Sequence, residues 1–281
     1  MPVSYSSPAR NLFLLGSSGS QVVTNFFKKI DEADNFSHIA SEIRYLDTDG
    51  SFVIAGEADR TSPSTQKFGW IEKKQEDGTE EWGVEVESTD EGDTIVTALE
   101  LDGSNLVAVG TTNNIPWIAK YTTDGVSTWS STSYTGDLKY TGVSVDGNGN
   151  YYACGSTPDS ASSTSPALAF VENFDSSGNP GWGKSAFMLG RNVVLNDIAT
   201  NDRGHVVSVG YLEDDTANKG YIVKIDTNTG EVLWDRTLEF VGGVSGSSYL
   251  SESDVEITAI DIDNNDDIYI CGNIKYDLFG F

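Results

Sequence analysis

A single spacing, met four times, limits what this chain can fold into. In DGTEEW, DGVSTW, SGNPGW and TGEVLW a glycine stands four residues before a tryptophan, at Trp82, Trp129, Trp182 and Trp234. The offset reads as a tight hairpin. Glycine supplies the positive φ of the connection, and tryptophan enters the following strand as a large packing residue. IDEADNFSHI is a degenerate copy, with Asn35 at the glycine position and Ile39 at the tryptophan position. Asparagine is the next residue after glycine to tolerate left-handed backbone.

A second element shares the period. Apolar runs close on glycine at Gly16, Gly56, Gly110, Gly155, Gly210 and Gly272, in NLFLLG, SFVIAG, NLVAVG, NYYACG, HVVSVG and DIYICG. Their separations are 40, 54, 45, 55 and 62 residues, near the roughly 40–50 residues of a propeller blade. Most runs are preceded by an Asp/Asn/Gly turn, and the turns by short alternating segments such as VTALEL, TGVSV and ITAIDI. Each unit therefore reads as strand, turn, strand ending in glycine, loop, strand, hairpin, strand with tryptophan. Four antiparallel strands per unit make a blade. VVTNFFKKIDEA aligns with GYIVKIDTNTG and is read as strand and turn, not helix.

The expected fold is an all-β propeller of about six blades in a single domain spanning 1–281. Its units run roughly 1–41, 42–90, 91–136, 137–190, 191–250 and 251–281, the last incomplete. An unfinished blade leaves a bare strand edge, which a partner strand, a rearranged N-terminus or further chain beyond Phe281 is expected to complete.

With 17 basic and 43 acidic residues the formal net charge is −26, so phosphate backbones are repelled and nucleic-acid binding is not expected. No stretch approaches 18 apolar residues, so no membrane insertion is expected. Nor does MPVSYSSPARNLFLLGSSGS read as a signal peptide. Location is left open, compatible with cytoplasm or virion.

Candidate chemistry is sparse. His38 and His205 have no metal-ligand spacing and read as turn-surface residues. Cys154 and Cys271 precede the repeat glycines, where other units carry Leu15, Ala55, Val109 and Val209, and read as small core residues. The turns holding Asp47 and Asp49, and Asp261, Asp263, Asp266 and Asp267, present alternate oxygens as a calcium loop would. They also fit ordinary Asx turns. Trp70 and Trp117, extra to the repeat, read as inter-blade core or as a stacking surface. No catalytic triad appears, and no cofactor is expected.

The unit written HVVSVGYL…GYIVKIDTNTGEVLWDRTL resembles bacterial β-propeller repeats of the SBBP and PQQ-like kinds. It shares the Asx/Gly turn, the V-K-I-D strand end and the T-G-x-x-x-W hairpin. The resemblance implies an antiparallel propeller with tryptophans docked between neighbouring blades. Quinone-dependent dehydrogenases built on such blades need a larger ring and cofactor ligands absent from this pattern. In composition the chain is similar to structural and tail-associated proteins of marine tailed phages. That similarity implies a non-enzymatic structural or protein-interaction module of an assembly, possible as an oligomer. The alternative is a propeller enzyme or carbohydrate-binding protein with a site at the central channel. Paired carboxylates could serve such a site, although 43 acidic residues offer too many pairs to choose among.

Overall fold

The computed structural model describes residues 38–47, 49–59, 66–86, 92–132, 137–157, 168–185, 192–214, 217–239 and 253–275. The first sequence unit, with Gly16 and Asn35, lies outside them apart from its last residues. Ile39 stands inside the first described strand rather than in a fourth one.

The described residues form five antiparallel sheets in chain order. Blade one is β1 (His38–Leu46), β2 (Ser51–Asp59), β3 (Lys67–Lys74) and β4 (Glu80–Val86). Blade two is β5 (Thr94–Asp102), β6 (Asn105–Thr112), β7 (Ile115–Thr122) and β8 (Ser127–Ser131). Blade three is β9 (Lys139–Val145), β10 (Tyr151–Ser156), β11 (Ala169–Phe174) and β12 (Pro180–Ser185). Blade four is β13 (Val193–Asn201), β14 (His205–Leu212), β15 (Lys219–Asp226) and β16 (Val232–Leu238). Blade five has two strands, β17 (Asp254–Ile262) and β18 (Ile268–Lys275). No helix occurs among the described residues. The chain is a β-propeller.

First strands neighbour first strands from one blade to the next, so β1, β5, β9, β13 and β17 lie nearest the axis. Apolar clusters fill each space between successive blades. Leu46, Val53 and Ile71 meet Val96 and Leu99; Val107 and Ile118 meet Tyr140 and Phe174. Tyr152 and Val171 meet Leu195 and Tyr221, and Val207 and Val209 meet Ile257. Trp117 is buried in the cluster between blades one and two, at 7% exposure, and Trp70 at 3% in a separate cluster with Ile54, Ala58 and Phe68 of its own blade; neither offers a stacking surface.

The tryptophans of the repeat lock one blade to the next. A Cβ added to Gly125, Gly178 or Gly230 would fall 2.7, 2.5 or 2.6 Å from the ring of Trp82, Trp129 or Trp182 respectively, each a residue of the preceding blade. These glycines have φ of 79°, 80° and 67°. Each therefore serves two needs, the left-handed turn and the seat for an indole. The indole N–H groups of Trp82 and Trp182 donate to the carbonyls of Thr123 and Thr227, at 2.8 Å each.

The recurring glycine of the apolar runs has another cause, and the strands do not end on it. β2 runs to Asp59, β6 to Thr112, β14 to Leu212 and β18 to Lys275. Opposite each glycine the innermost strand carries a β-bulge, skipping Ser41, Thr97, Thr141, Asn196 or Thr258 in the pairing register. The bulge drives a carbonyl toward the glycine. A Cβ at Gly56, Gly155 or Gly210 would lie 1.9 Å from the oxygen of Ile39, Lys139 or Val194. Only a hydrogen fits.

Three of the five bulges also reach forward. The Thr97 hydroxyl donates to the Tyr140 carbonyl at 2.7 Å, the Thr141 hydroxyl to the Leu195 carbonyl at 2.7 Å, and the Asn196 amide to the Ile257 carbonyl at 2.8 Å. In every case the acceptor immediately precedes the next blade's own bulge residue. The innermost strands are thus hooked in series, at about 1 kcal/mol per hydrogen bond.

Cys154 is fully buried, and burial pushes its thiol up to about 12. Cys271 departs from the expected core position and is exposed. Among the described residues its strand, β18, pairs with β17 alone, and Tyr269, Ile270 and Ile274 are exposed.

Candidate active site at the central channel

In each innermost strand the residue following the bulge is Glu42, Ala98, Gly142, Asp197 or Ala259. Three are small and two are acids. Asp197 lies along the inner wall between blades three and five. Its Oδ2 accepts the backbone N–H of Ile260 at 3.0 Å, and its Oδ1 accepts that of Ile198 at 2.8 Å. Gly142 makes room for it, since a Cβ there would stand 3.1 Å from the Asp197 Cα and 3.2 Å from its Oδ1.

Burial raises this carboxyl to about 6 from an ordinary 3.8, against the two N–H groups that favour its charge. Glu42, on blade one, raises it further through space, and Arg44 lowers it. Arg44 forms ion pairs with Glu42 and, at 3.4 Å, with Glu100 of blade two. Burial opposes the guanidinium's charge, but Glu100 and Glu42 outweigh it and hold the group above its usual value. A carboxyl raised in this way on an innermost strand can give and take a proton within one reaction cycle.

The other residues singled out in the sequence are not brought together here. Asp49 accepts the N–H and hydroxyl of Ser51 at 3.0 and 2.5 Å and pairs with Lys73 at 2.6 Å. The hydrogen bond from Lys73 is the largest of the effects that hold it at about 2. Asp263 accepts the N–H groups of Asn265 and Asp267 at 2.8 and 2.9 Å, an Asx turn. Asp261 accepts the N–H of Ile262 at 2.8 Å, while Asp47 lies in a turn. Among the described residues no group of three His, Cys, Asp or Glu side chains converges as a metal site.

His205 is not the free turn-surface residue expected. Its Nδ1 lies 2.9 Å from Asp266 Oδ1, which also accepts from Asn201 at 2.6 Å and Lys224 at 3.3 Å. Hydrogen bonding to His205 leads the effects that hold Asp266 well below the carboxylate range. The group ties blade four to the turn of blade five. The side chain of His38 lies outside the described ones.

Asp197 and Glu42 were not among the residues marked in the sequence. A signal exists for them. A polar residue stands 13–15 positions before every repeat glycine from Gly56 onward, marking the bulge. The slot after it is Ala or Gly in three units and acidic in two.

No protein family matches the sequence, and no curated protein does. Among solved structures the chain is similar to a protein of unknown function from Bacteroides caccae, at 12% identity and a TM-score of 0.45, covering 77% of this chain and 64% of that one. It is similar to the Synechocystis apocarotenoid oxygenase at 12% identity and a TM-score of 0.43, over 78% of this chain and 56% of that one. It is also similar to a Xanthomonas campestris gluconolactonase at 10% identity and a TM-score of 0.41, over 86% and 87%. The chain spans less than two thirds of the length of the first two. Two of these three carry enzyme names, and that finding overturns the expectation of a non-enzymatic structural or virion module. What the similarity shares with this chain is architecture, and no substrate transfers with it.

Proposed function

We propose that the chain is a propeller enzyme acting at its central channel, with Asp197 as the proton-transferring group and Glu42 of blade one acting on it through space. The observation carrying this reading is the Asp197 carboxyl itself, partly buried at the innermost strand and raised to about 6. Its two oxygens are oriented by fixed N–H groups, which preorganises it. Hydrolysis is the reaction class that fits. The carboxylate takes a proton from water as water attacks, and returns it to the departing oxygen. The wall carries Glu42, Glu100 and Asp197 against Arg44, favouring a neutral or cationic substrate. We further propose that the blades are of the SBBP and PQQ-like kind, supported by the tryptophans seated on the next blade's turn glycine.

The test is a hydrolysis screen with nitrophenyl glycosides, esters and aliphatic lactones. Asp197→Asn should lower kcat/KM by about 10²–10³ and abolish the limb near pH 6 in the pH profile. No turnover across the screen, or turnover indifferent to both Asp197→Asn and Glu42→Gln, overturns the reading.

Stability supplies a second readout. The folded carboxyl binds its proton more tightly than the unfolded one, so its contribution is full below pH 4 and is lost as pH rises through about 6. Between pH 4 and pH 7 the stability difference should move toward Asp197→Asn by roughly 2–3 kcal/mol in denaturant titrations.

A further inference from the structure

Blade three departs from its neighbours at one position, and a groove opens there. In β3, β7 and β15 a lysine pairs across the sheet with a valine, as Lys73 with Val53, Lys120 with Val107 and Lys224 with Val207. These lysines are largely buried, with side-chain exposures of 7%, 16% and 9%. Each ammonium neutralises a turn aspartate: Asp49 at 2.6 Å, Asp102 at 2.5 Å and Asp266 at 3.3 Å. In blade three the same pair is Asn173 with Tyr152. Tyr152 fills the deep part and its hydroxyl reaches Asp146 at 3.1 Å, taking over the role of the ammonium. The lysine stem has no replacement, because the Asn173 amide folds back over Gly181.

The result is a groove of about 470 Å³ between blades three and four, away from the channel carboxylates. That volume suits a small ligand. Asp146 has no capacity to spare. It accepts from the N–H groups of Asn148 and Asn150 and the amide of Asn150, all at 2.9 Å, and from Tyr152. Its role is to fix the turn. The open groups are the side-chain amides of Asn148 and Asn228, which are exposed and have no hydrogen-bond partner among the described residues. Arg203 joins them, 53% exposed and 3.9 Å from its nearest carboxylate. Trp182, partly buried, also lines the groove, with its indole seated on Gly230.

We propose that this groove binds a neutral saccharide, in addition to the channel site. Each amide offers both donors and an acceptor, as vicinal hydroxyls require, and the groove's lining is predominantly polar, which suits a hydroxyl-rich ligand. The strongly negative chain disfavours an anionic ligand, and the lining offers too little apolar surface for a lipid.

The protein contains its own closing variant. Asn173→Lys installs the residue three other blades accommodate and should fill the groove with an ammonium directed at Asp146. Purified protein is titrated with maltose, cellobiose and N,N′-diacetylchitobiose, followed by tryptophan fluorescence and calorimetry. At least one should bind with a Kd in the millimolar range or tighter, and Asn173→Lys should weaken it at least about tenfold with the thermal midpoint retained. Should that variant fold poorly, Asn148→Ala/Asn228→Ala, altered only at exposed amides, carries the same expectation. Absence of binding by all three disaccharides up to about 50 mM, or binding equal in the folded variants and the parent, overturns the proposal.

Discussion

Replacing Gly155 by alanine should cost about 3–5 kcal/mol, a large loss for the addition of one methyl group. The new Cβ would sit 1.9 Å from the Lys139 carbonyl oxygen and 3.0 Å from the Tyr140 Cα, both backbone, so no side-chain rotation relieves the clash. The bulge would have to flatten, and the Thr141 hydroxyl would lose its line to Leu195. Gly149→Ala provides the control. Gly149 has a φ of 77° but its nearest neighbour would be 3.9 Å away, so only backbone strain is at stake, about 1 kcal/mol. Urea titrations should show the two midpoints well separated at similar m. Equal losses would mean that φ, and not the bulge, dictates the repeat glycine.

Trp129→Ala should cost about 3 kcal/mol, measured the same way. The indole lies on Gly178 of the following blade, packs within the cluster of Ala98, Tyr140 and Tyr151, and has the Tyr151 ring 5.4 Å away. Removing it leaves a gap between two blades that neither sheet can close by itself. A loss below about 1 kcal/mol would reduce the tryptophan to surface decoration.

The architecture was legible because both repeat glycines answer to strict geometric demands. Gly178 needs positive φ and a bare face, and Gly210 needs room for a carbonyl, so neither could drift during repetition. The second demand was misread as a strand end, because a bulge leaves no single residue type behind it: Ser41, Thr97, Thr141, Asn196 and Thr258 share only a polar side chain. The channel acid was hidden for a related reason. Asp197 is one of many acidic residues, and what sets it apart is the loss of water, which sequence does not display. Cys271 shows the converse error: its slot matches a core slot in other units, but among the described residues β18 pairs with β17 alone and the thiol is exposed. Asn173 matters only by contrast with three lysines in register, a comparison that becomes meaningful once those lysines are seen to plug the space.

The hooks among the innermost strands all point one way. Thr97 holds blade three, Thr141 holds blade four, and Asn196 holds blade five, each gripping a carbonyl that the successor presents ahead of its own hook. Blades three and four therefore each carry one hand and one handle, and the three joints share one design. Gain or loss of a whole unit during evolution preserves every joint, whereas a cut through the middle of one leaves a hand closing on nothing. Unit number is accordingly a quantity that lineages of such a chain can vary by duplication and deletion, while the length of each unit's inner half is not.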